Sequence, residues 1–316
     1  MRWVGLVIGL ALFACVLAAS DLRGVGTLLL EFRWRFFLVF LFYAFIFALD
    51  TWGWKYAFHP DQQRKVSWSQ LFRVRLAGES INYVTPGASI GGEPVKAVIL
   101  SKRYGIPMPE GMASVVVAKT TLAFSMLFFS LTGIVLALFL YPLPGLLKRW
   151  LLGVMLALSG MMVLFVLAQF LKPFQRGSRF FSWIHPRWFA SLQEKMQLWD
   201  GAILRFYRQS PASIIRSFLF HFLGWLAGAA EVFLIFKLLH LPISIPAAFC
   251  LEALWVLLRS GAFMIPASLG ASEGFMILVC TGLGISSVIG LTVGLIRRVR
   301  EMVWMGLGLL EFSRDG

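Results

Sequence analysis

Charge is scarce in this chain. Only 14% of its 316 residues are Asp, Glu, Lys or Arg, while 59% are hydrophobic and the mean hydropathy is +0.80. A soluble domain carries about a quarter charged residues, which excludes an ordinary water-soluble globule. The length is therefore counted in membrane spans of about 20 residues. Acidic residues are scarcer than basic ones, 15 against 29, for a net charge of +14. That surplus does not point to nucleic acid, because the basic residues sit in short loops between apolar runs. There they suit an anionic cytoplasmic leaflet. Cysteine is limited to Cys15, Cys250 and Cys280, each inside an apolar run and without C-x-x-C spacing. Neither a disulfide framework nor a metal site is expected from them.

Catalytic signatures are missing as well. Gly87-Ala88-Ser89-Ile90-Gly91 fits G-x-S-x-G, the nucleophile turn of serine hydrolases. That chemistry needs a soluble α/β sheet or a histidine within reach of the serine. The four histidines are His59, His185, His221 and His240, three of them in or beside loops. No phosphate-cradling glycine loop precedes a Lys-Ser/Thr pair, and no D-x-D occurs for a metal-bound sugar nucleotide. Asp21, in a loop, is the one candidate for a transferase acting on a lipid-linked sugar. No cofactor is expected.

What the chain does have is long apolar runs. Six are long enough to cross a bilayer as helices: 3–19, 36–58, 112–140, 147–171, 215–239 and 285–310. The first resembles a signal peptide but reads better as an uncleaved helix. Two further stretches, about 76–100 and 247–282, are apolar but broken by Gly, Pro and charge. Irregular backbone survives at membrane depth only where protein or a wet cavity covers it, so these read as re-entrant or broken helices. The loop 172–214 carries seven Lys and Arg and is placed in the cytoplasm, with 59–75 and both termini; 238–248 falls outside. Basic residues in 21–35 and 141–149 count against that orientation. Leu192, Met196, Trp199, Ile203 and Phe206 form an apolar stripe, either an interfacial amphipathic helix or a face packed on the spans.

The two broken stretches match. With Pro86 set on Pro266, Glu93 falls on Glu273, Glu79-Ser80 on Arg259-Ser260 and, after a one-residue shift, Lys119 on Arg298. Three spans lie between the copies, which makes the second inverted relative to the first. Inverted repeats with broken helices at the midplane are a recurring transporter plan. The fold expected is an all-α membrane domain over 1–316, with repeats at about 76–140 and 247–312 and a cytoplasmic loop at about 172–214.

Charges inside these segments are costly, about 2.5–3.5 kcal/mol each at the bilayer centre, so they mark function or pairing. Lys96 follows Glu93 by three residues and shares its helical face. Two readings stand together. In the first, Glu79 pairs with Arg259, or Glu93 with Arg298, as ties between the copies; in the second, Lys96, Lys119, Arg259 and Arg298 face a polar cavity that admits an anionic headgroup. In the second reading the glycines and prolines keep half-helix N-termini open to anions. Asp50 is expected at a wet interface, Arg300 in the charge cluster of the second stretch with Glu252 and Arg297 or, with Glu301, near an interface, and Glu231 with a partner in the protein.

"AGESINYVTPGASIGGEPVKAVILSKRYGI" resembles the flippase-like membrane family that includes the transmembrane half of lysyl-phosphatidylglycerol synthases. Asn82, Pro86-Gly87, Gly91-Gly92-Glu93 and Lys96 carry the resemblance, and Pro266, Gly270, Glu273 and Arg298 repeat it near the C-terminus. The resemblance implies a multi-pass protein of a bacterial or archaeal inner membrane that moves a lipid between leaflets. Phospholipids, polyprenyl-linked or hopanoid lipids and lipid-synthesis enzymes are the partners it implies. A membrane enzyme acting on a lipid-linked sugar, and a scaffold for lipid synthesis, remain the alternatives.

Overall fold

Backbone polar groups in a bilayer must be satisfied inside their own element, which favours helices for apolar runs of this length. The computed structural model describes residues 2–85, 91–142, 145–170, 201, 205–206, 211–262 and 265–313. Among these the secondary structure is helical, without a strand. The N-terminal part comprises α1 (Arg2–Ala18), α2 (Leu22–Phe32), a 3-10 turn (Arg33–Arg35) and α3 (Phe36–Tyr56). One-turn α4 (Pro60–Gln63), α5 (Trp68–Val84), α6 (Gly92–Tyr104), α7 (Met108–Leu140) and α8 (Gly145–Phe170) follow. The C-terminal part holds α9 (Pro211–Leu238), α10 (Ile245–Gly261), α11 (Ala271–Gly282) and α12 (Ser287–Ser313).

Local chemistry sets the ends. Ser67 and Gln70 form a capping box at the start of α5, Ser244 caps α10, and Gly105 closes α6 in the left-handed conformation, φ +64°. Asp21 caps α2, accepting from the backbone N–H of Arg23 and Gly24 at 3.1 Å each. Its carboxylate therefore has a structural job. Leu22–Tyr56, Met108–Leu140 and Pro211–Leu238 are long and apolar enough to cross a membrane. At 26 and 27 residues α8 and α12 also have the length, although α12 carries Arg297, Arg298, Arg300 and Glu301. The stretch 21–35, read as a loop, is mostly α2. Arg73 and Arg75, read as part of a loop, lie in α5.

Burial is inverted relative to a soluble protein. Phe37, Leu156 and Leu164 are 63%, 70% and 67% exposed, whereas Glu231, Glu252 and Glu273 are at 2% or less. That distribution suits a hydrocarbon solvent, and the protein is a multi-pass membrane protein. The helices of the two broken stretches pack reciprocally. Helix α5 lies on α12 and α10 lies on α7, while α3 and α9 pack on each other; within each stretch the order is α5–α6–α7 and α10–α11–α12. One apolar cluster joins Phe32, Val39, Phe236, Trp255, Met276 and Ile296; another joins Trp54, Phe58, Leu71, Leu100, Ile106 and Phe206. Phe206 is thus packed against the protein, and the rest of the proposed amphipathic stripe lies outside the described residues.

Candidate functional site

The first break ends at Gly92. A Cβ there would collide with the carbonyl of Gly78, so α5 and α6 approach closely only because this residue is glycine. The Asn82 side chain spans the gap. Its Oδ1 accepts from Gly92 N at 2.7 Å, and its Nδ2 donates to Glu93 Oε1 at 3.0 Å and Glu79 Oε2 at 3.2 Å. Lys96 Nζ reaches Glu79 Oε1 at 2.5 Å and Glu93 Oε1 at 3.1 Å; Lys119 Nζ, from α7, reaches Glu93 Oε1 at 2.9 Å. Pro86 and Ser89 lie outside the described residues.

The second break is built the same way with different residues. Pro266 opens a 3-10 turn, Pro266–Ser268, in which Ala267 and Ser268 have φ of +52° and +48°. Glu273, in the first turn of α11, accepts from Gly270 N at 2.9 Å and from Arg298 Nε at 2.6 Å. Arg298 Nη1 also donates to Ala267 O at 2.7 Å, which braces the strained residue. Both glutamates occupy the positive end of a helix, where a carboxylate is favoured.

The expected ties across the copies are not made. Glu93 pairs with Lys119 and Glu273 with Arg298, each within its own stretch, because the long helix after each break returns alongside it. Arg259 takes Glu301 at 2.5 Å rather than Glu79, and reaches Tyr83 Oη at 3.3 Å. At each half-helix N-terminus one N–H already has an internal acceptor: Asn82 takes Gly92 N and Glu273 takes Gly270 N.

Other charges also fall inside, Asp50 among them where an interface was expected. Asp50 is held by Arg75 Nη2 at 2.8 Å and His221 Nδ1 at 3.0 Å. Arg300 binds Glu231 and stacks on Tyr43, its guanidinium carbon 3.9 Å from the ring centre. Arg297 takes Glu252 at 2.5 Å and Glu231 at 3.3 Å. Glu301 and Arg300 are both 4% exposed. The spans hold glycines where some of these charges pack. A Cβ on Gly224 would sit 2.8 Å from Asp50 Oδ1, and one on Gly228 would sit 2.8 Å from Glu252 Oε1.

Among the described residues seven carboxylates meet seven Lys and Arg in this interior: Asp50, Glu79, Glu93, Glu231, Glu252, Glu273 and Glu301 against Arg75, Lys96, Lys119, Arg259, Arg297, Arg298 and Arg300. Nine of them line a cavity of about 430 Å³ between α3, α5, α7, α9, α10, α12 and the second break. Of the residues expected at the site, Glu79, Asn82, Lys119 and Arg259 line it. Gly92, Glu93, Lys96, Pro266, Glu273 and Arg298 do not; they hold the breaks. Lys119 and Arg259 keep 36% and 22% of their side-chain surface exposed, against 5% for Lys96 and 8% for Arg298. Among the described residues no three His, Cys, Asp or Glu side chains converge as metal ligands would.

No solved structure is significantly similar to the chain. A UPF0104 membrane protein of Methanothermobacter thermautotrophicus is 26% identical over 253 residues, covering 74% of this chain and 71% of that relative. Residues 2–308 match the family model described as the lysylphosphatidylglycerol synthase TM region, and the chain belongs to that family.

Proposed function

We propose that the protein moves a phosphate-bearing lipid between the leaflets of a bacterial or archaeal inner membrane, with its headgroup in the central cavity. One observation carries this reading: the cavity is lined from both broken stretches, and each supplies a partly exposed cation, Lys119 from α7 and Arg259 from α10. Among water-reached groups at membrane depth, such cations suit a phosphate, and Glu79 and Asn82 beside them suit its polar substituents. The family name ties its synthase members to lysylphosphatidylglycerol, and a phospholipid is accordingly the substrate class favoured here.

The reciprocal packing of α5 on α12 and α10 on α7 supports an inverted repeat with the cavity at its interface. We assign the repeats to about 76–140 and 247–312, and both termini to the cytoplasm from the basic loops. Lys96, Glu93, Glu273 and Arg298 serve in this reading to hold the two breaks. In proteoliposomes, a fluorescent phospholipid should cross about tenfold more slowly with Lys119→Ala or Arg259→Ala, a barrier change of about 1.4 kcal/mol. Unchanged rates in folded variants would overturn the proposal.

A further inference from the structure

His221 lies on α9 and is 3% exposed. Its Nδ1 is 3.0 Å from Asp50 Oδ1, and Asp50 Oδ2 accepts from Arg75. An ionised carboxylate only accepts, so Nδ1 carries the proton and the neutral ring offers a lone pair at Nε2. That Nε2 has no hydrogen-bond partner among the described residues. Packing leaves room for the ring by a glycine, since a Cβ on Gly53 would lie 2.7 Å from Nε2.

The ring also lines a second void of about 20 Å³, room for about one water. Arg75 and Glu79 of α5, Glu93 and Lys96 of α6 and Lys119 of α7 share its wall, while Asp50 of α3 holds the ring from the other side. Arg75, Glu79 and Lys119 line the central cavity too, so the small void adjoins it. Around neutral His221 the ledger is therefore three cations and three carboxylates. A proton added at Nε2 leaves one positive charge without a partner in a low-dielectric interior. It also draws Asp50 toward the imidazolium and away from Arg75, whose guanidinium borders the cavity.

We propose that His221 is a proton-binding site linked to the cavity, so that one proton and one anionic headgroup bind together. This rests on the reading of the cavity as a lipid site and supplies its coupling ion. The proton comes from water in the cavity and goes to Nε2; Nδ1 keeps its bond to Asp50; the anion neutralises the charge gained. Linkage fixes the sign: lowering the pH tightens anion binding, and anion binding draws a proton onto the ring.

The test is binding of short-chain phosphatidylglycerol to the full chain in detergent. Affinity should be about tenfold tighter at about pH 5.5 than at about pH 8, with proton uptake on binding, and His221→Gln should abolish both effects. If that variant does not fold, the wild type still decides the matter: nitrogen-15 signals of the His221 ring should titrate at higher pH once the lipid is bound. Equal affinity at both pH values, a pH dependence kept by His221→Gln, or a ring titration indifferent to lipid overturns the proposal and leaves translocation standing. Lost translocation with pH-linked binding intact counts against translocation alone. No binding at either pH overturns both.

Discussion

Asn82 serves three groups with one amide: the first N–H of α6 and the carboxylates of Glu79 and Glu93. Asn82→Ala leaves Gly92 N unsatisfied and takes one donor from each carboxylate, both of which keep Lys96, at a cost of about 1–3 kcal/mol. A lower thermal unfolding midpoint in detergent is the expected result. Glu231 is more exacting, because it neutralises Arg300 and part of Arg297 at full burial. Glu231→Gln should cost about 3–5 kcal/mol, and adding Arg300→Met should recover much of it, since removing both charges leaves none stranded. Denaturant titration of the single and double variants distinguishes the outcomes. Glu93 and Glu273 stood out in the sequence because each follows the proline of its break by seven residues, Lys96 because it lies one turn further on, and Arg298 because it falls on Lys119 when the two stretches are aligned. The pairs Asp50–Arg75 and Glu231–Arg300 were not, because their partners are distant in the chain and a charge inside a span does not announce what faces it.

Helices were the easier level to read. The long runs reappear within a few residues of their expected limits because hydrocarbon tolerates nothing else over such lengths. Helix α2 escaped notice because eleven residues holding Arg23, Gly24, Gly26 and Glu31 look like a loop; the Asp21 cap and burial of Val25 and Phe32 are what fold it. Helix contact adds a constraint that hydropathy does not encode. A Cβ on Gly308 would collide with Ser80 and the carbonyl of Leu76 where α12 crosses α5, whereas Gly160 on α8 faces open space. Gly308→Ala should therefore lower stability by about 1–3 kcal/mol through forced separation of the helices. Gly160→Ala should raise it slightly through helix propensity. Parallel thermal melts of the two variants check the contrast.

For the molecule as a whole, charge runs inward and grease outward. An ion-pair network sequestered from water is screened weakly by salt, unlike pairs on a soluble surface. The unfolding midpoint should hardly move between about 0.05 and 0.5 M sodium chloride, while stripping one buried partner moves it strongly. A steep salt dependence would mean that the network is open to solvent. Equal numbers of opposite charges among the described interior residues also limit what the cavity can accept without rearrangement, and in the proposed function a headgroup meets first the more exposed Lys119 and Arg259.

Helix α1 lies against the second break so tightly that a Cβ on Gly270 would strike the backbone of Phe13, and Gly9 faces Ile265. About 260 residues separate these partners, so α1 leaves the ribosome long before the element it docks against. Until then α1 has to wait in the lipid with that face uncovered. Assembly should accordingly finish with a late, long-range step, and Gly9→Leu should trap chains that are inserted but not closed. Protease protection of nascent chains halted before and after residue 270 would reveal that waiting state.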